Sequence, residues 1–178
     1  MGFVALAVGI GAALALFAGA FHMFNHAHAK TLLFVAAGAL GQRYGTLRLA
    51  HLRGALEVAP LPALGLLVGT LAITGVPPFA PFASEFGVAR AGFAGRPTAL
   101  AGTIVLILGT VLVFGGMLFH AMNVVLRSAP RRRYRAPFPL ASVFIGAPIG
   151  VLLVMGVWLP PILRDGFAAT ASVLGLVP

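Results

Sequence analysis

Apolar residues run in four long blocks that hold no Asp, Glu, Lys or Arg: Met1 to Ala29, Val58 to Ser84, Pro97 to Leu126 and Ala136 to Leu163. Each block exceeds the roughly 20 residues that a helix needs to cross a bilayer core of about 30 Å. Strands of a membrane barrel alternate apolar and polar positions, whereas these blocks are apolar on every face, so the pattern predicts helices. They are placed at 2–10, 13–41, 60–75, 81–94, 98–126 and 138–160. Residues 2–10 are too few to cross and read as the tail of a longer helix. The expected fold is all-α: a polytopic transmembrane helix bundle of about four full spans plus the partial N-terminal helix, forming a single membrane domain over 1–178.

The pair 60–75 and 81–94 is separated by Gly75, Val76, Pro77, Pro78, Phe79, Ala80 and Pro81. Adjacent prolines remove backbone donors and clash with the preceding turn, so a continuous helix cannot pass through them. Each half, at about 14 residues and roughly 21 Å, falls short of the hydrocarbon thickness. One broken span is therefore expected, with Gly75, Pro77, Pro78 and Pro81 at its helix break. Unwound backbone at membrane depth is tolerated beside a water-filled cavity or inside protein, and such breaks mark ion pathways in transporters. An ordinary proline kink is the plainer alternative.

Composition agrees with lipid as the main solvent: 60% of the chain is hydrophobic and 8% charged, with a mean hydropathy of +1.05. The net charge of +9 would suggest nucleic acid in a soluble protein. Here the arginines sit at the ends of apolar spans, and no nucleic-acid partner is expected. With one broken crossing, Arg43, Arg48, Arg53, Arg127, Arg131, Arg132, Arg133 and Arg135 share one side, against Arg90, Arg96 and Arg164 on the other. The richer side is assigned to the cytoplasm. The chain has no cysteine, which removes disulfides, thiolate metal sites and iron–sulfur ligation. No cofactor is expected, no residue is assigned a catalytic role, and no signal peptide is evident at MGFVALAVGIG.

Lys30 is the only lysine, and it lies well inside a predicted span. Ionisable groups at such depth are expensive and point to function. His22, His26 and Lys30 follow the spacing H-x3-H-x3-K. Successive members are offset by only about 40°, which places all three on one helix face over roughly 12 Å. Such a stripe suits proton transfer: histidine titrates near neutrality, and a lysine joins the chain where burial disfavours its charge. His28 points to nearly the opposite face. A metal at His22 and His26 has the right spacing, but no carboxylate or third histidine lies nearby, so none is expected. Glu85 follows the break by one turn from Pro81; the half-helix dipole favours its anion and burial its neutral form. Snorkelling to an interface is its bland alternative. His120 extends the candidate path toward the basic side or sits at the interface. Glu57 and Asp165 read as loop charges.

The run FHMFNHAHAKTLLFVAAGAL (21–40), the loop RYGT (43–46) and LPALGLLVGTLAITGVPPFAPFASEF (61–86) resemble the antiporter-like subunits of respiratory complex I, group 4 membrane-bound hydrogenases and Mrp cation/proton antiporters. The SEF ending and RYGT loop are most similar to the hydrogenase-4 or formate-hydrogenlyase type. The resemblance covers nearly the whole chain and implies that His22, His26 and Lys30 belong to a hydrated central axis, with Glu85 at the end of the proton path in the second broken helix. His28 departs from the apolar residue usual there. Family subunits resemble two inverted five-helix repeats, and this chain looks like the C-terminal part.

The resemblance implies a proton-translocating subunit, or fragment of one, of an energy-converting hydrogenase or NADH-quinone oxidoreductase-like complex, with no redox site of its own. It further implies a multi-pass protein of the bacterial or archaeal cytoplasmic membrane, with partners that include other membrane subunits and the missing N-terminal half. The carried ion is the proton, with sodium left open. A non-pumping scaffold and part of a Mrp-type cation/proton antiporter are the competing readings.

Overall fold

The structure is a computed structural model that describes residues 1–129, 134 and 140–173. Arg131, Arg132, Arg133 and Arg135, on which much of the expected charge asymmetry rests, lie outside the described residues. Every regular element described is helical. Helix α1 (Gly2–Ile10) stops at Gly11, which takes φ 71°, and α2 (Ala13–Tyr44) stops at Gly45 with φ 70°. A short α3 (Ala55–Val58) precedes α4 (Pro60–Ile73), and α5 (Ala80–Phe93) precedes the 30-residue α6 (Pro97–Leu126). Helices α7 (Ala141–Val157) and α8 (Pro161–Val173) complete the chain.

Helix α2 is the hub, packed against α1, α4, α5, α7 and α8. Small residues make this possible: Ala15, Ala18, Ala29 and Ala36 are fully or almost fully buried along it. A Cβ on Gly87 of α5 would come within 2.9 Å of Ala18, and one on Gly65 of α4 within 3.2 Å of Ala36. Lipid gives helices no hydrophobic reason to associate, so close approach of backbones and van der Waals contact carry the packing. At its C-terminal end α2 is anchored by Tyr44, whose hydroxyl donates to the Arg53 carbonyl at 2.6 Å.

The break falls where the prolines put it. Gly75, at φ 72°, donates its N–H to Ala72 O at 3.1 Å, and Val76 donates to Leu71 O at 3.0 Å. This Schellman arrangement satisfies the last carbonyls of α4. The chain then passes through Pro77 and Pro78, and α5 begins with Pro81 in its first turn, where a missing N–H costs nothing. The last turn of α7 presses on this loop: a Cβ on Gly156 would overlap the Pro78 carbonyl and lie 2.9 Å from Ala80 N. Only a glycine lets α7 seat there.

Two elements differ from the expectation. The last predicted helix, 138–160, ends at Val157, and Pro160 and Pro161 turn the chain by 77° into the separate helix α8. Glu57 and Asp165 sit on α3 and α8 rather than in loops; Asp165 accepts from the neighbouring Arg164 at 3.1 Å in an exposed pair. Among the described residues, α6 is the one helix long and apolar enough by itself to cross a membrane, with a mean hydropathy of 2.3. Helix α4 is apolar but 14 residues long. Helix α2, 32 residues long, carries the polar stripe through its middle.

Candidate functional site

Helices α1, α2 and α6, with the two ends of the α4–α5 break, line an open cavity of about 850 Å³. His22, His26 and Lys30 line it from α2, Thr74 from the end of α4 and Glu85 from α5. Four of the five residues expected along a proton path thus meet in one space, although His26 and Glu85 lie 59 residues apart in sequence (85 − 26). The His22 and His26 ring centroids are 5.5 Å apart. The remaining wall comes largely from α1 and α6 and is apolar apart from Thr110, whose hydroxyl donates to Leu106 O.

Each polar group has a defined setting. His22 is buried, with its Nδ1 3.1 Å from Ser84 Oγ and its ring centroid 5.3 Å from that of Phe3. Glu85 is half-buried, and its carboxylate packs against Gly75, whose positive φ forms the break. Any side chain at Gly75 would both strain the turn and displace that carboxylate. The Thr74 hydroxyl donates to Thr70 O at 2.7 Å, so it caps α4 rather than offering a proton to the cavity.

Lys30 departs from the expectation of a buried ammonium: it is exposed at the side of the bundle, with Nζ 5.8 Å from the Phe34 ring centroid. A cation over a ring face is stabilised by the ring quadrupole, modestly at an exposed position. The helical spacing fixed which face Lys30 occupies, and the neighbours of that face decide its burial.

His120 is not brought to the cavity. It lines a second, more apolar one of about 670 Å³ beside the loop residues Leu47, Leu49 and Leu52. Leu33, Val113 and Met117 line both spaces and stand between them. His28 faces away, its Nδ1–H donating to the Phe24 carbonyl one turn back at 2.9 Å. Among the described residues no three His, Cys, Asp or Glu side chains converge as a metal site.

The residues missed in the sequence are Ser84 and Asn25. Ser84 is fully buried, and Asn25 is buried with its amide nitrogen donating to Ala80 O at 3.1 Å. Both are polar residues inside apolar runs adjacent to members of the stripe or to Glu85, and that adjacency was the available signal.

A family profile described as "NADH:quinone oxidoreductase/Mrp antiporter, TM" matches residues 1–112. The chain belongs to this family. A hydrogenase-4 component F homolog of Methylacidiphilum infernorum (isolate V4) is 35% identical over 169 residues, covering 94% of this chain and 34% of that protein. Subunit N of the F(420)H(2) dehydrogenase of Methanosarcina mazei is 29% identical over 186 residues, covering 99% of this chain and 37% of the relative. The antiporter-family chain thus spans about a third of the length of these curated relatives.

Its fold is shared with solved structures. A chain of the Mrp complex from Dietzia sp. DQ12-45-1b aligns with a TM-score of 0.83 at 22% identity, covering 99% of this chain and 40% of that one. A chain of respiratory complex I from Thermus thermophilus aligns with a TM-score of 0.81 at 22% identity, covering 99% and 37%. Among the described residues every regular element of the antiporter-family chain is helical, and in sequence the chain is similar to subunits of NADH-quinone oxidoreductase-like and hydrogenase complexes.

Proposed function

We propose that this chain supplies the second half of a proton path in a membrane complex of the energy-converting hydrogenase or NADH-quinone oxidoreductase-like type. The observation that carries the reading is the shared cavity: His22, His26 and Lys30 on α2 face the same space as Glu85 beside the break. Titratable groups on one apolar-walled cavity suit stepwise proton transfer, with Lys30 and Glu85 each exchanging a proton as water reaches them. His120, in the second cavity, is the station on the basic side.

In this reading α2, the α4–α5 pair, α6 and α7 make four crossings of a cytoplasmic membrane, with the arginine-rich side in the cytoplasm. The partners are other membrane subunits of that complex. The exposed side of Lys30 supports such a partner, because lipid cannot satisfy an ammonium at that depth.

Proton uptake into inverted membrane vesicles, with assembly followed by native gel, tests the proposal. Lys30→Arg keeps a permanent charge that does not readily release its proton. An assembled Lys30→Arg complex is expected to lose pumping. Normal pumping by that variant would make Lys30 structural and favour the scaffold reading.

A further inference from the structure

Two side chains of α2 grip the first turn of α5 inside the fold. Asn25 donates from its amide nitrogen to the Ala80 carbonyl at 3.1 Å, while its own oxygen is buried without a hydrogen bond. One turn earlier on α2, His22 meets Ser84 at 3.1 Å, and Ser84 Oγ lies 2.8 Å from the Pro81 carbonyl. All three side chains are 1% exposed or less.

The second distance decides where the hydroxyl proton is. Two oxygens at 2.8 Å attract only with a proton between them, and a carbonyl has none to give. The Ser84 hydroxyl therefore donates to Pro81 O. A hydroxyl has one proton, so toward His22 it is an acceptor, and the proton on that contact belongs to His22 Nδ1. In the neutral ring the other nitrogen, Nε2, then carries the lone pair. His22 lines the cavity while Ser84 does not, so the ring edge left to the cavity is the one that bears Nε2.

We infer that Ser84 is a positioning residue that fixes the His22 tautomer, making His22 a terminal proton store that is filled and emptied through Nε2 alone. When Nε2 takes a proton from the cavity, the Nδ1–H bond to Ser84 persists, because both ring nitrogens of imidazolium are donors. Passage through the ring would require Ser84 to accept that Nδ1 proton and release its own to Pro81 O, a carbonyl that cannot hold it. The proton taken up at Nε2 must leave from Nε2, on the side of the cavity that His26 also lines. The role in transport rests on the proton-path reading; the tautomer does not.

The test is solid-state NMR of the full chain in lipid bilayers with 15N-labelled histidine, at a pH where the rings are neutral, with the His22 signals assigned by their loss in His22→Gln. The wild-type spectrum is expected to show a protonated Nδ1 and an unprotonated Nε2 for His22. Ser84→Ala is expected to lose that preference, and Ser84→Thr, which keeps the hydroxyl, to restore it. In inverted vesicles of the assembled complex, Ser84→Ala should lower the rate of proton uptake several-fold, with Ser84→Thr close to wild type. A wild-type His22 protonated on Nε2, or an unchanged tautomer in folded Ser84→Ala, would overturn the inference. Loss of transport in the wild type with the expected tautomer intact would instead sink the proton-path reading and leave the Ser84 assignment standing.

Discussion

Helix α2 has two long faces that the same apolar segment builds in opposite ways. One face turns His22, His26 and Lys30 to an open cavity and to Glu85. The other is sealed: Phe17, Phe21 and Phe24 meet Phe167 of α8 at ring-centroid distances of 6.3, 5.5 and 5.9 Å. His26 and His28 are two residues apart, yet they fall on different sides of this division. His26 keeps its ring on the cavity, whereas His28 donates its Nδ1–H to the Phe24 carbonyl, with its ring tilted at 40° to that of Phe24 and the centroids 4.4 Å apart. A histidine inside a membrane helix is thus assigned its work by helical phase, and identity alone says little. The sealed face packs against α8, and the open face leaves its polar side chains to the cavity.

The comparison breaks most sharply at Glu85. Glu85→Gln keeps the shape of the side chain and removes its proton exchange, so proton uptake by the assembled complex should vanish. Glu85→Asp, with a carboxyl one methylene shorter, should retain part of it. Equal loss in both variants would mean that the carboxyl must also reach its place against Gly75, whereas normal uptake by Glu85→Gln would show that titration of Glu85 is not needed. An intermediate effect of a different kind is expected from Phe167→Ala on the sealed face. Removing a half-buried ring should destabilise the fold by about 1–3 kcal/mol, less than the value for a fully enclosed aromatic. Less complex should accumulate on a native gel, while proton uptake per assembled complex stays unchanged. A lower rate per complex would show that α8 reaches the transport face. The smallest effect belongs to His28→Ala, which deletes one local hydrogen bond worth about 1 kcal/mol. Its rate should be close to wild type, and a loss comparable to Glu85→Gln would erase the distinction between the faces.

Where physics was local, the sequence was legible. The stripe follows from a spacing of four residues, and the break from adjacent prolines, with α4 and α5 each beginning or ending within two residues of the expected place. The pair Pro160 and Pro161 carries the same message, yet the apolar pattern alone extends the last helix to 160 and does not show the turn into α8. Leu163, Phe167 and Thr170, at helical spacing, mark the inner face of α8. The grip of α2 on α5 was not legible, since His22 and Asn25 find their partners 62 and 55 residues away. No local rule supplies such pairs. The exposure of Lys30 escaped for a related reason: periodicity names a face, while only packing says what covers it. Gly156 is likewise one more small residue in the sequence, and only the fold sets the Pro78 carbonyl against it.

The exposed ammonium of Lys30 also bears on how the protein is made. A lysine near the centre of a helix opposes entry into the bilayer by about 2.5–3.5 kcal/mol on insertion scales, against about 0.3–0.6 kcal/mol gained by each leucine or phenylalanine. Helix α2 adds three histidines and an asparagine to that burden. Its insertion then leans on α1, α4 and α5 arriving together, as a group that shields the polar stripe before lipid meets it. Until the open side is covered, Lys30 presents its charge toward the bilayer.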